Sequence, residues 1–119
     1  MKVERELIRG AGPVAVLQLL ERREMYGYEL VEALSRRTGG VLAMGQSSLY
    51  PLLYSLEAKR LVESRWVDMP SGRKRRYYRL TERGAQVLAK RRAQWQELFQ
   101  VMVGLGLVRP IPASGSAHA

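Results

Sequence analysis

From Gly72 to Thr81 the chain reads Gly-Arg-Lys-Arg-Arg-Tyr-Tyr-Arg-Leu-Thr, and five of these ten residues are cationic. Guanidinium and ammonium groups at this density suit the neutralisation of phosphate oxygens along a nucleic-acid backbone, or the entry of one arginine into a minor groove. A plain solvated hairpin is the other reading, although Arg73, Lys74, Arg75 and Arg76 crowded beside a tight turn repel one another. Upstream, Ser47, Ser48, Tyr50, Tyr54 and Lys59 bring together hydroxyls and a cation that can meet phosphates and base edges. Tyr50 and Tyr54 fit half-buried packing positions equally well. Of Tyr77 and Tyr78, one is expected to pack, which leaves Tyr77 as the candidate contact.

Catalytic chemistry finds no comparable grouping. The sequence has one histidine, His118, close to its last residue, and no cysteine. Thiolate metal sites and disulfides are therefore excluded. There is no glycine-rich phosphate loop, no Gly-x-Ser-x-Gly turn and no paired acidic motif. Neither an enzyme nor a metal or cofactor site is expected.

The elements that must position these groups are legible in outline. The chain has 119 residues, 46% of them hydrophobic, which allows one small packed domain with an appended element. Its net charge of +9 points to a polyanionic partner. Met1 to Glu6 is charged with both signs, without the apolar stretch of a secretory signal, and no apolar run reaches the roughly 20 residues of a membrane span. A soluble cytoplasmic protein without membrane contact is expected.

A short helix is expected across Val3–Ile8 and a longer one from Pro13 to Arg23, with Val14, Val16, Leu17 and Leu20 as its apolar stripe. Tyr26-Gly27-Tyr28 should open the next helix, which turns Leu30, Val31 and Leu34 inward and stops at Thr38-Gly39-Gly40. A further helix is expected from Ser47 to Glu57, capped by Ser47 or Ser48 and buried through Leu49, Leu52, Leu53 and Leu56. Leu61 to Asp68 reads as a strand, Met69 to Lys74 as a tip centred on Ser71-Gly72, and Arg75 to Leu80 as the returning strand. Alternation places Arg76 and Tyr78 on the side of Leu80, and Arg75, Tyr77 and Arg79 on the other.

Thr81 should cap a long final helix reaching Val103 or beyond. Leu88, Trp95 and Met102 recur on it every seven residues, with Leu98 and Phe99 between them, so one face carries an apolar seam. Leu88, Leu98, Phe99 and Met102 are expected to form a homodimer contact, helped by Leu7 and Ile8 if the N-terminal segment crosses the partner. Trp95 is either a core residue or, facing its symmetry mate, one wall of a slot for a planar hydrophobic or aromatic effector.

The expected architecture is mostly α with a small β-hairpin. A winged helix-turn-helix domain covers residues 1–80, a dimerisation helix 81–108 and a flexible tail 109–119. A helix beside a basic hairpin is the layout that reads double-stranded DNA with the helix and grips phosphate with the wing. The alternative is a winged-helix RNA- or protein-interaction module without an effector.

Several segments carry a family resemblance: Tyr26-Gly27-Tyr28-Glu29-Leu30, Ser48-Leu49-Tyr50-Pro51-Leu52-Leu53, Leu56-Glu57, Gly72 through Thr81, and Gly84. In order and spacing they resemble the PadR-family transcriptional regulators across roughly residues 5 to 105, and the short length is similar to the family's smaller subclass. The resemblance implies a winged helix-turn-helix repressor that dimerises through its last helix and is often released from DNA by a small molecule. Two positions depart from the pattern. Arg60 stands where the family usually has a glycine, which implies a different closure of the preceding helix. Gln46-Ser47-Ser48 replaces a small glycine or proline pair, which implies a changed operator preference.

Overall fold

The computed structural model describes residues 2–111. Along the chain run α1 (Arg5–Ile8), α2 (Ala11–Arg22), β1 (Met25–Tyr26), α3 (Gly27–Arg37), α4 (Gln46–Ala58), β2 (Val62–Asp68), β3 (Lys74–Leu80) and α5 (Glu82–Gly104). The strands form one antiparallel sheet in the order β1-β3-β2. The mostly helical fold with a β-hairpin holds, with one strand added. Met25 and Tyr26, expected at a helix start, pair instead with Tyr78 and Tyr77 on the edge of β3.

Local chemistry sets the helix ends. At α3 the Glu29 carboxylate accepts the Tyr26 backbone N–H at 3.2 Å, satisfying a donor that the first turn leaves free. At its far end the Thr38 hydroxyl accepts the Leu42 N–H at 3.0 Å, and Gly39 and Gly40 take φ of 60° and 86°. Helix α2 begins ahead of Pro13, which still lies in the first turn, where a missing N–H costs nothing. Helix α4 corrects the expected cap. Gly45 holds the extended N-cap position, and Ser47 and Ser48 lie exposed inside the first turn.

The hairpin register runs from Val62 opposite Leu80 to Asp68 opposite Lys74. Its tip is longer than Ser71-Gly72. The Gly72 N–H donates to the Met69 carbonyl at 2.9 Å, and the Met69 N–H donates to the Arg73 carbonyl at 2.8 Å. Pro70 suits the second position of such a turn, and Gly72, at φ 87°, supplies the left-handed residue that rejoins the strand.

Two compact units divide after Leu88, rather than after Leu80 as the sequence suggested. The first holds the core, in which Val16, Leu17, Leu20, Leu30, Leu34, Leu49, Leu53, Leu56, Val62 and Tyr78 are buried. Leu88 is fully buried in the same core. This corrects its expected place in a dimer seam, because a side chain with no accessible surface has none to offer a partner. In the second unit α5 ends at a left-handed Gly106 (φ 79°), with the Leu107 N–H donating to the Met102 carbonyl at 3.0 Å. Of the tail expected over 109–119, residues 109–111 carry no regular structure; the remainder, His118 included, lies outside the described residues. Among the described residues no helix is long and apolar enough to cross a membrane.

Candidate nucleic-acid interface

Strand β3 sorts the basic run by face. Arg73 and Lys74 stand exposed at the tip, with Lys74 Nζ 4.0 Å from Asp68. Arg75 lies over the Tyr26 ring at 4.3 Å, and Tyr26 meets the half-buried Tyr77 edge-on at 5.4 Å. β1 therefore supplies an aromatic platform that holds Arg75 extended while leaving it exposed. Among the described residues neither Arg73 nor Arg75 has a carboxylate partner, so their charge stays available to phosphate.

On the opposite face the geometry differs from what the charge run suggested. Arg76, expected among the phosphate contacts, turns toward α4 and pairs with Glu57 at 3.1 Å. The alternation that put it beside Leu80 already placed it on the core side of the strand. Tyr78 is fully buried below it; its hydroxyl has no hydrogen-bond partner among the described residues, and burial raises its pKa.

Along α4 the packing and contact alternatives separate. Tyr50 is half-buried against the core, and its hydroxyl fills the space a side chain at Gly27 would need. It packs, and Gly27 is the residue that lets α3 approach. Tyr54 is 50% exposed, and Ser47, Ser48, Ser55 and Lys59 are exposed with it. Tyr28, in the first turn of α3, is exposed as well and was not singled out in the sequence. Glu32, first by its charge and then by a hydrogen bond, raises the Tyr28 pKa, so the phenol remains a neutral donor.

A compact joint links α4, β2 and α5. The Arg60 N–H donates to the Glu57 carbonyl at 2.9 Å and the Leu61 N–H to the Leu56 carbonyl at 2.9 Å, the paired bonds of a Schellman ending. Arg60 therefore closes the helix as a glycine would, at φ 62°, and the different closure implied by its identity does not occur. The Thr81 hydroxyl donates to the Arg60 carbonyl at 2.7 Å while accepting the Gly84 N–H at 2.9 Å. One side chain caps α5 and ties it to the end of α4.

Two helices at a turn, the second exposing hydroxyls and a cation, with a basic antiparallel hairpin beside them, make a winged helix-turn-helix DNA-binding unit. Residues 16–90 match the sequence profile of the Transcriptional regulator PadR-like family. The chain belongs to that family, whose members are DNA-binding transcriptional regulators that typically dimerise, and it is not an enzyme.

Relatives agree. An uncharacterised protein of Lysinibacillus sphaericus is 31% identical over 100 residues, covering 84% of this chain and 92% of that protein. The transcriptional regulator YqjI of Escherichia coli is 33% identical over 81 residues, 68% of this chain but 37% of that longer protein. The crystal structure of a PadR family transcriptional regulator from Eggerthella lenta superposes with a TM-score of 0.76 at 36% identity, covering 87% of this chain and 88% of that one.

Proposed function

We propose that this protein is a cytoplasmic repressor that binds an inverted-repeat operator as a homodimer, with α4 in the major groove and the wing on the flanking backbone. The observation that carries the reading is the exposed, uncompensated Arg73 and Arg75 on a wing beside an α4 surface bearing Ser47, Ser48, Tyr54 and Lys59. Pairing through α5 is supported by its outward apolar surface. Trp95 is 43% exposed, Leu98 46% and Phe99 36%, with Met102 half-buried among them. Apolar side chains in that number on one helix call for a covering surface. A planar aromatic effector would stack between Trp95 and its counterpart on the second copy, since one exposed indole supplies a single wall.

The test is binding to a duplex that the protein itself selects from a random library, measured over a range of salt. A dimer neutralising on the order of six to ten phosphates gives a slope of log K against log salt of roughly −5 to −9. Arg73→Ala and Arg75→Ala should each flatten it by about one unit. Salt-independent binding, or a preference for RNA competitor over duplex DNA, overturns the reading in favour of an interaction module.

A further inference from the structure

Arg76 stands apart from the other cations of the wing run. Its side chain is 33% exposed, against 68% for Lys74. Its Nε donates to the Ser64 hydroxyl at 2.9 Å, and its Nη2 to the two Glu57 carboxylate oxygens at 3.1 and 3.4 Å. The Ser64 hydroxyl donates in turn to Glu57 Oε2 at 2.7 Å. Side chains from α4, β2 and β3 thus close one ring of hydrogen bonds. Around the guanidinium stand the rings of Tyr54, Trp66 and Tyr78, at 6.0, 5.7 and 5.6 Å.

We infer that Arg76 is a positioning residue: with Glu57 and Ser64 it braces the wing against α4, fixing the spacing of the two elements that reach DNA, and makes no phosphate contact itself. The inference rests on the DNA-binding reading above and goes beyond it by taking one cation out of the contact set. Glu57 neutralises the guanidinium, and an unpaired carboxylate on the DNA-facing helix would repel phosphate. The ring sits where burial ends. Val62 and Tyr78 below it are buried, Ser64 is half-buried, and Trp66 beyond it is 63% exposed. Past that point the hairpin is a cantilever. From Ser64 to Asp68 it extends about 13 Å at the usual strand rise, so a tilt of about 10° at the ring moves the tip by about 2 Å. A shift of that size breaks hydrogen-bond geometry at a base or phosphate.

The experiment compares Glu57→Gln, Arg76→Gln and Arg75→Gln in the full chain. Each binds the parent-selected duplex and a random duplex across a salt series, after a thermal melt has shown the variant folded. Glu57→Gln and Arg76→Gln are each expected to cut the preference for the selected duplex by about tenfold or more with the salt slope unchanged. Arg75→Gln should weaken both duplexes alike and flatten the slope by about one unit. The inference is overturned if Arg76→Gln behaves as Arg75→Gln does. It is equally overturned if Glu57→Gln tightens both duplexes and keeps the preference, as loss of a negative charge near phosphate would without a brace. Should either variant fail to fold, Ser64→Ala removes one arm of the ring and is held to the same outcomes. A parent that selects no duplex refutes the DNA-binding reading instead, a distinct result.

Discussion

Gly84, in the first turn of α5, lies against the backbone of Leu61, so that a Cβ placed on it would overlap the Leu61 carbonyl oxygen and crowd the Leu80 side chain. The obstacle is backbone, and it is fixed by its own bonds. The Leu61 carbonyl accepts the Thr81 N–H at 3.1 Å and the Thr81 hydroxyl at the same distance. Gly84→Ala must therefore push α5 away from the β2 entry. The expected cost is about 2–3 kcal/mol, a fall in thermal midpoint of roughly 8–20 °C. A midpoint within a degree or so of the parent would mean that the helix start yields freely.

Arg60 presents the reverse case, a side chain where a glycine fits. Its φ of 62° costs a non-glycine residue roughly 1–2 kcal/mol, part of which a glycine returns through greater freedom in the unfolded chain. Arg60→Gly is expected to raise stability by about 0.5–1 kcal/mol, read as a higher midpoint in denaturant with an unchanged slope. Loss of stability would show that the arginine side chain contributes more than its backbone conformation costs.

How much of this was readable in the sequence depended on whether the relevant contact was local. The Leu49, Leu53 and Leu56 stripe was legible because helical spacing alone puts those side chains on one face, and they are buried. The alternation along β3 was legible for the same reason, and followed through it would have placed Arg76 inward. The Tyr26 platform was not legible: a two-residue strand has no period of its own and exists only through its pairing with Tyr77 and Tyr78, far along the chain. Leu88 misled for a related reason. A seven-residue repeat says that a helix face is apolar, but the core of the winged unit covers that face as far as Leu88. Thr81 was legible as a cap, whereas its hydrogen bond to the Arg60 carbonyl joins residues far apart in sequence.

Acid should weaken one contact of the sheet in a predictable way. Arg65 donates to both carboxylate oxygens of Glu24, at 3.1 and 2.8 Å, bridging β2 to the residue before β1. That hydrogen bonding, reinforced by the charge of Arg65 and opposed by partial desolvation, lowers the Glu24 pKa below its ordinary 4.5. A carboxyl held more acidic in the folded chain stabilises above its ordinary pKa, and the contribution fades as pH falls through the folded value. Glu24→Gln should therefore lower the midpoint slightly at neutral pH, with the gap to the parent closing below 4.5. A gap that persists undiminished at about pH 3 would mean that the contact does not depend on the carboxylate charge.

Leu88 and Phe99 share one helix but should fail in different ways. Leu88 fills the core of the winged unit, so Leu88→Ala is expected to cost about 2–5 kcal/mol of folding stability through the cavity it leaves, without changing how the folded protein associates. Phe99 is 36% exposed on a part of α5 outside that unit, among Trp95, Leu98 and Met102. In the proposed homodimer Phe99→Asp buries a carboxylate in an apolar seam, at a cost of several kcal/mol of association. Sedimentation should then find the parent and Leu88→Ala as dimers at micromolar concentration and Phe99→Asp as a monomer that binds half-site DNA weakly. A dimeric Phe99→Asp would move the seam to another face of α5, and a monomeric parent that binds its operator in full would remove the homodimer from the proposal.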